Sequence, residues 1–199
     1  MSKLALLIGV NEYPQIGNLQ YAESDASAVA QSLKDHCGFR DQEVTLMKSG
    51  GEARNLPVRT FIESRLAGLR HIRDLDLLIV GFWGHGFRDV AGHRYLCATD
   101  TDGTNEQTLT RTGISLESLQ HGLIQAGALN TCLILDCCQN IAGGRGVSAT
   151  LTEEERTTLS RSVDAASRDI ATRRQQRGYS VLQPPTMAVL NSCTGGQKA

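Results

Sequence analysis

No pair of cysteines in this chain has the C-x-x-C spacing of a structural zinc site, although six cysteines are present. Cys37, Cys97, Cys132, Cys137, Cys138 and Cys193 resemble no disulfide framework either, and a chain of 199 residues is too large to need one. Reduced thiols in a reducing, cytoplasmic setting are therefore expected. Charge of one sign is also lacking. Lys and Arg number 20 against 21 Asp and Glu, for a formal net charge of −1. That balance leaves no electrostatic footprint for nucleic acid or an anionic membrane. No apolar run approaches the roughly 20 residues that span a bilayer. The run Leu4–Val10 is short, and Asn11-Glu12-Tyr13 follows it where a secretory leader would have a small-residue cleavage site, so it reads as a first strand. A Gly-rich phosphate loop is missing after that strand, since Gly9-Val10-Asn11-Glu12 does not supply one. Gly143-Gly144-Arg145-Gly146 lacks the Lys-Ser/Thr end of a P-loop. Repeats and low-complexity tracts are absent as well.

What the chain does have is 40% hydrophobic residues, enough for the core of one domain. Two apolar runs stand out. Cys132-Leu133-Ile134-Leu135-Asp136-Cys137-Cys138-Gln139-Asn140 ends in an acid and two thiols, and Leu77-Leu78-Ile79-Val80-Gly81-Phe82-Trp83-Gly84-His85-Gly86 ends in a histidine between glycines. Runs of this length bounded by turn residues fit strands buried on both faces of a parallel sheet. Sites in such sheets gather at the carboxyl ends of the strands. If the two strands are neighbours, a thiol and an imidazole share one edge, which is the minimum apparatus of a cysteine nucleophile.

The remaining pattern predicts strands at 3–10, 43–48, 76–83, 131–136 and 187–190. A helix carries Ala22, Ala26, Val29, Ala30 and Leu33 on one face and stops at Gly38. A second starts after Pro57, and a third, capped by Ser115, carries Leu116, Leu119 and Leu123. A hairpin is expected over 88–98 around Ala91-Gly92. Residues 100–112 show no apolar period and are expected to be loop. Strand and helix alternate, so the chain is predicted to be an α/β domain with a mostly parallel central sheet and helices on both faces. Residues 140–183 differ in character. The segment runs from the glycine-rich turn through Glu153-Glu154-Glu155 to Arg161, Arg168, Arg173, Arg174 and Arg177.

His85 precedes Cys138 by about 50 residues, a separation and order known from caspases. With the first strand Leu6-Leu7-Ile8-Gly9-Val10-Asn11, the Gly84-His85-Gly86 and Asp136-Cys137-Cys138 boxes, and the terminal Asn191 to Ala199, the chain resembles the caspase-like cysteine peptidases, most closely the metacaspases and their bacterial relatives. The resemblance implies a three-layer sandwich. Residues 1–139 would be its large-subunit-like part, 140–183 an Arg-rich linker and 184–199 the start of a small-subunit-like part, with further chain expected beyond Ala199. The family pattern of acid, any residue, cysteine assigns the nucleophile to Cys138 rather than Cys137. Strand alternation agrees, because it sends Asp136 and Cys138 one way and Cys137 the other. The resemblance also implies that His85 handles the thiol proton, and that backbone N–H groups of Gly86 and Cys138 form the oxyanion hole.

Specificity follows from charge. No arginine occurs before Arg40 to hold an acidic substrate side chain, whereas Asp25 lies where metacaspases place a pocket acid and Asp136 supplies a second. Two carboxylates select arginine or lysine, arginine through bidentate pairing. An enzyme of that specificity would find its own linker a target, after Arg161, Arg168, Arg173, Arg174 or Arg177. Some positions depart from the family. Trp83 replaces a pocket serine, and Gln139-Asn140 replaces histidine-serine. Ser115-Leu116 and Arg145 stand where metacaspases carry calcium-binding acids, which leaves Asp100 and Asp102 as a weak cation pair. No cofactor or metal is implied, and activity is expected to survive a chelator. The expected partners are a protein or peptide substrate and, from the resemblance, a regulatory sensor domain or partner protein, with neither nucleic acid nor membrane. The departures leave a second reading open, a caspase-like scaffold that binds partners without chemistry. An iodoacetamide-inert Cys138 would favour it.

Overall fold

The computed structural model of the chain describes residues 2–72, 74–137, 139–141 and 186–191. Five parallel strands form its main sheet. They are β1 (Lys3–Gly9), β2 (Val44–Met47), β3 (Leu77–Trp83), β7 (Asn130–Asp136) and β9 (Thr186–Asn191), in the order β2-β1-β3-β7-β9. All four adjacent pairs run parallel. The chain is thus α/β with a parallel central sheet, and the two strands that end in the histidine and the thiols are neighbours.

Strand alternation sorts the apolar side chains onto two faces. Leu6, Ile8, Leu78, Val80, Phe82, Leu133 and Leu135 pack in one core with Ile62 and Leu69 of α2 (Arg59–Leu69) and Leu116, Leu119 and Leu123 of α4 (Leu116–Ala126). Ala5, Leu7 and Trp83 pack on the other face with Ala22, Ala26, Ala30 and Leu33 of α1 (Ala22–Cys37). Helices therefore cover both faces, as right-handed crossovers require. Each fully buried leucine contributes about 1.5–3 kcal/mol relative to exposure, and Leu7, Leu78, Leu123, Leu133 and Leu135 are of this kind.

The helix ends obey the local signals. Gly38 closes α1 in a left-handed conformation, φ 65°, and its N–H donates to the Leu33 carbonyl. The Ser115 hydroxyl caps α4 by accepting from the Ser118 N–H at 3.3 Å. One expectation fails: within the stretch read as loop, Glu106–Thr112 is a helix, α3. It buries no residue, so it has no apolar stripe to detect. Its one leucine, Leu109, packs partly buried against the core, and its start is set locally. Asn105 accepts from the Thr108 N–H at 2.9 Å, and the Thr108 hydroxyl accepts from the Asn105 N–H at 3.1 Å, a reciprocal cap.

The hairpin forms from β4 (Gly86–Arg88) and β5 (Arg94–Leu96), with Gly92 at φ 93° in its turn. Two unanticipated short strands extend it, β6 (Ile114–Ser115) and β8 (Gln139–Ile141), in a second sheet of order β6-β5-β4-β8. Gln139–Ile141 thus carries the start of the expected linker into regular structure; residues 142–185 and 192–199, including Cys193 and all five candidate self-cleavage arginines, lie outside the described residues. Among the described residues, no helix is long and apolar enough to cross a membrane.

Candidate active site

Two parallel ladders meet at the carboxyl edge of the sheet. In the main sheet Trp83 pairs with Asp136, and in the second sheet Gly86 pairs with Gln139. The offset between partners is the same in both ladders. The connection Gly84-His85 between β3 and β4 is therefore bracketed at both ends by the residues that bracket Cys137-Cys138. Cys138 itself lies outside the described residues. Its preceding neighbour Cys137 is buried in the core on the α2 and α4 side, as alternation predicts. Gly86, the expected oxyanion-hole glycine, is buried and pairs with both Leu96 and Gln139.

His85 is held at three points. Its backbone N–H donates to the Tyr13 hydroxyl at 2.9 Å. Its ring Nε2 lies 2.7 Å from the Gly17 carbonyl. A carbonyl can only accept, so Nε2 carries a proton, and whenever the imidazole is neutral its lone pair is on Nδ1. The Tyr13 ring packs against the imidazole with centroids 4.8 Å apart and planes tilted by 50°. Tyr13 is only 3% exposed. Burial raises its hydroxyl well above the ordinary phenol value, although the hydrogen bond from the His85 N–H offsets part of the shift, so Tyr13 is neutral at any physiological pH.

None of Tyr13, Gly17 and Asn18 was legible as a site residue. The sequence signals there, Tyr13-Pro14 and Ile16-Gly17-Asn18, mark a loop after β1 and nothing more. Gly84 explains why a glycine precedes the histidine, since a Cβ there would lie 2.6 Å from the Tyr13 hydroxyl and 3.0 Å from the Phe82 ring. Gly84→Ala is expected to cost about 1–3 kcal/mol through overpacking. Thermal unfolding would read this as a fall of about 2–4 °C in Tm per kcal/mol lost; an unchanged Tm would show that Tyr13 has room to retreat.

The face toward α1 carries the other candidates. Gly9, Trp83 and Asp136 lie in register across three strands. Trp83 does not stand up as a pocket wall. Its ring folds back over Gly81, where a Cβ would lie 2.4 Å from it, and the side chain is 5% exposed. The first turn of α1 sits on Gly9, since a Cβ at Gly9 would lie 2.7 Å from the Ala22 carbonyl. Asp25 belongs to this turn and is exposed, and Asp136 is half-buried at the end of β7. Both acids thus belong to one end of the sheet. Glu23 is the acid of that turn that faces inward: it accepts from the Asn11 and Ser49 N–H groups at 3.4 and 3.2 Å, and so ties α1 to the loops after β1 and β2.

The remaining candidates have structural partners. Asp100 caps α2 by accepting from the Arg59 N–H at 2.8 Å, and Asp102 accepts from the Thr104 N–H at 2.9 Å. Hydrogen bonds from Thr104 hold the Asp102 carboxyl below its ordinary range. Among the described residues, no cluster of three metal-ligating side chains occurs. Burial pushes the Cys97 thiol up to about 12 and raises that of Cys132, so neither is a ready nucleophile at neutral pH.

Comparisons with known proteins bear on the fold and the family. Metacaspase-7 of Arabidopsis thaliana is 32% identical over 89 residues, which is 44% of this chain and 22% of that protein's length. The crystal structure of protein GSU0716 from Geobacter sulfurreducens superposes with a TM-score of 0.57 at 16% identity, covering 98% of this chain and 74% of that one, and shows the shared fold. The caspase domain matches residues 2–199, and the chain belongs to the caspase family.

Proposed function

We propose that the chain is a cysteine endopeptidase that cleaves after arginine or lysine through a dyad of His85 and Cys138. The observation that carries the reading is the common offset of the two ladders, which flanks His85 and Cys138 with paired residues on both sides. Membership of the caspase family supports it. Cys137 is buried on the opposite face, which suits Cys138 as the nucleophile.

The proton-free Nδ1 of His85 takes the thiol proton, and the Cys138 sulfur attacks the substrate carbonyl carbon. The resulting oxyanion is met by backbone N–H groups of Gly86 and Cys138. The C–N bond then breaks as the imidazolium returns the proton to the leaving amine. A water molecule, deprotonated by His85, hydrolyses the thioester and regenerates the thiol. The Gly17 carbonyl stabilises the imidazolium through Nε2 in the intervening state. Asp136 and Asp25 hold the basic side chain of the substrate, and arginines of the 145–177 segment are substrates in the same molecule.

The test is a panel of peptides differing only in the residue before the cut bond. Arginyl and lysyl peptides should be cleaved and aspartyl ones left intact; cleavage of the aspartyl peptide alone would overturn the specificity. No cleavage of any peptide, with a Cys138 inert to iodoacetamide, would favour the scaffold reading.

A further inference from the structure

The grip on His85 forms a closed circuit. The His85 N–H donates to the Tyr13 hydroxyl at 2.9 Å. The Tyr13 N–H donates to Asn18 Oδ1 at 2.9 Å. Asn18 follows Gly17, whose carbonyl accepts from His85 Nε2 at 2.7 Å. Both ends of one residue, its backbone and its ring, are thus tied to one short loop that is itself closed by a side chain. The base of the loop is fixed independently. The Leu19 N–H donates to the Asn11 carbonyl at 2.8 Å, and Asn11 exchanges hydrogen bonds with Glu23. Behind it, Gly103 lies so close that a Cβ there would fall 2.8 Å from the Gln15 carbonyl.

A lone Nε2···carbonyl contact leaves an imidazole free to swing about its side-chain bonds and to exchange tautomers. Closing the circuit removes that freedom, because Gly17 cannot move away from Nε2 without breaking the Tyr13–Asn18 bond or drawing on the His85 backbone. We infer that Tyr13 and Asn18 are positioning residues which, acting together, hold the imidazole of His85 in the Nε2–H tautomer with Nδ1 directed at its reaction partner. The inference rests on the peptidase reading for its kinetic consequence, but not for its effect on the tautomer. Neither residue touches substrate, and neither exchanges a proton in the reaction.

Tyr13→Phe keeps the ring and removes the hydroxyl, and Asn18→Ala opens the circuit without touching His85. Each is expected to lower kcat by about tenfold to a hundredfold, the scale on which small misplacements of a reacting group act, with KM unchanged. Asn18→Asp retains an acceptor and should stay within about threefold of the parent, a rescue that a purely structural role would not give. The double variant Tyr13→Phe with Asn18→Ala should be no slower than the worse single one, since a circuit opened once is open. Multiplying losses, or Tyr13→Phe and Asn18→Ala both at parental rate, would overturn the inference. Ring nitrogen chemical shifts of His85 in ¹⁵N-labelled protein give the second readout. The parent should show the Nε2–H tautomer, and either opened variant a mixture with Nδ1–H; one unchanged tautomer throughout would also overturn it. If the parent cleaves no peptide, the peptidase reading fails while this spectrum still decides the circuit.

Discussion

Cys138→Ala is expected to abolish peptide cleavage, lowering kcat by roughly 10³-fold or more, and His85→Ala should do the same. The size of the effect follows from the chemistry. In the proposed mechanism the sulfur forms the bond to the substrate, and without Nδ1 neither the thiol proton nor the leaving amine is served at neutral pH. Because the two act as one unit, the double variant should be no slower than either single one. Two controls separate this from damage to the fold. Cys137→Ala removes a neighbouring buried thiol and should cost stability rather than chemistry, since Cys137 packs in the core. Iodoacetamide should label the parent at Cys138 faster than at Cys97, whose thiol is raised to about 12 by burial. The same comparison tests self-cleavage. Fragments ending at Arg161, Arg168, Arg173, Arg174 or Arg177 should appear in the parent and be missing in Cys138→Ala, and identical fragment patterns would remove the self-processing idea. A Cys138→Ala protein that retained peptidase activity within tenfold of the parent would move the nucleophile elsewhere.

The parts of this site that could be read from sequence are those encoded by local pattern. The strands that end at Trp83 and Asp136 are continuous apolar runs, and burial on both faces is what such runs specify. Gly38 and Ser115 act through their own neighbours and were legible as helix ends. Helix α3 was not legible, because a single leucine, Leu109, makes no apolar stripe and a reciprocal cap sets its start. Strand β8 is three residues long, and its order comes from pairing with β4, far away in the chain. The Tyr13 hydroxyl reaches a residue that only the adjacency of β1 and β3 brings near, so no local spacing could have disclosed it. Trp83 was visible as a departure from the family, but the direction of its ring depends on the empty space above Gly81, on the same strand but packed against Leu7 of the next.

Asp136→Asn is expected to lower kcat/KM for arginyl peptides by roughly thirtyfold to several-thousandfold, the consequence of losing about 2–5 kcal/mol when one partner of a desolvated charge pair is neutralised. Asn has nearly the shape of Asp, so the change removes charge while leaving packing intact. Asp136 is the acid chosen for this test because it is half-buried at the edge where β3 and β7 end, beside the buried Trp83 in register with it. Asp25 is exposed on the first turn of α1, where water screens its charge. Asp25→Asn should therefore cost far less, within about tenfold. The shape of the substrate cation at the Asp136 carboxylate adds a second discriminating feature. Arginine offers a planar fork to that carboxylate and lysine a single point charge, so the Asn variant should lose more on arginyl than on lysyl peptides. Measuring kcat/KM for both peptides on both variants decides the matter. Equal small losses for Asp136→Asn and Asp25→Asn would show that neither acid faces the substrate, and a gain on aspartyl peptides in Asp136→Asn would show that repulsion by this carboxylate, more than attraction, had set the preference.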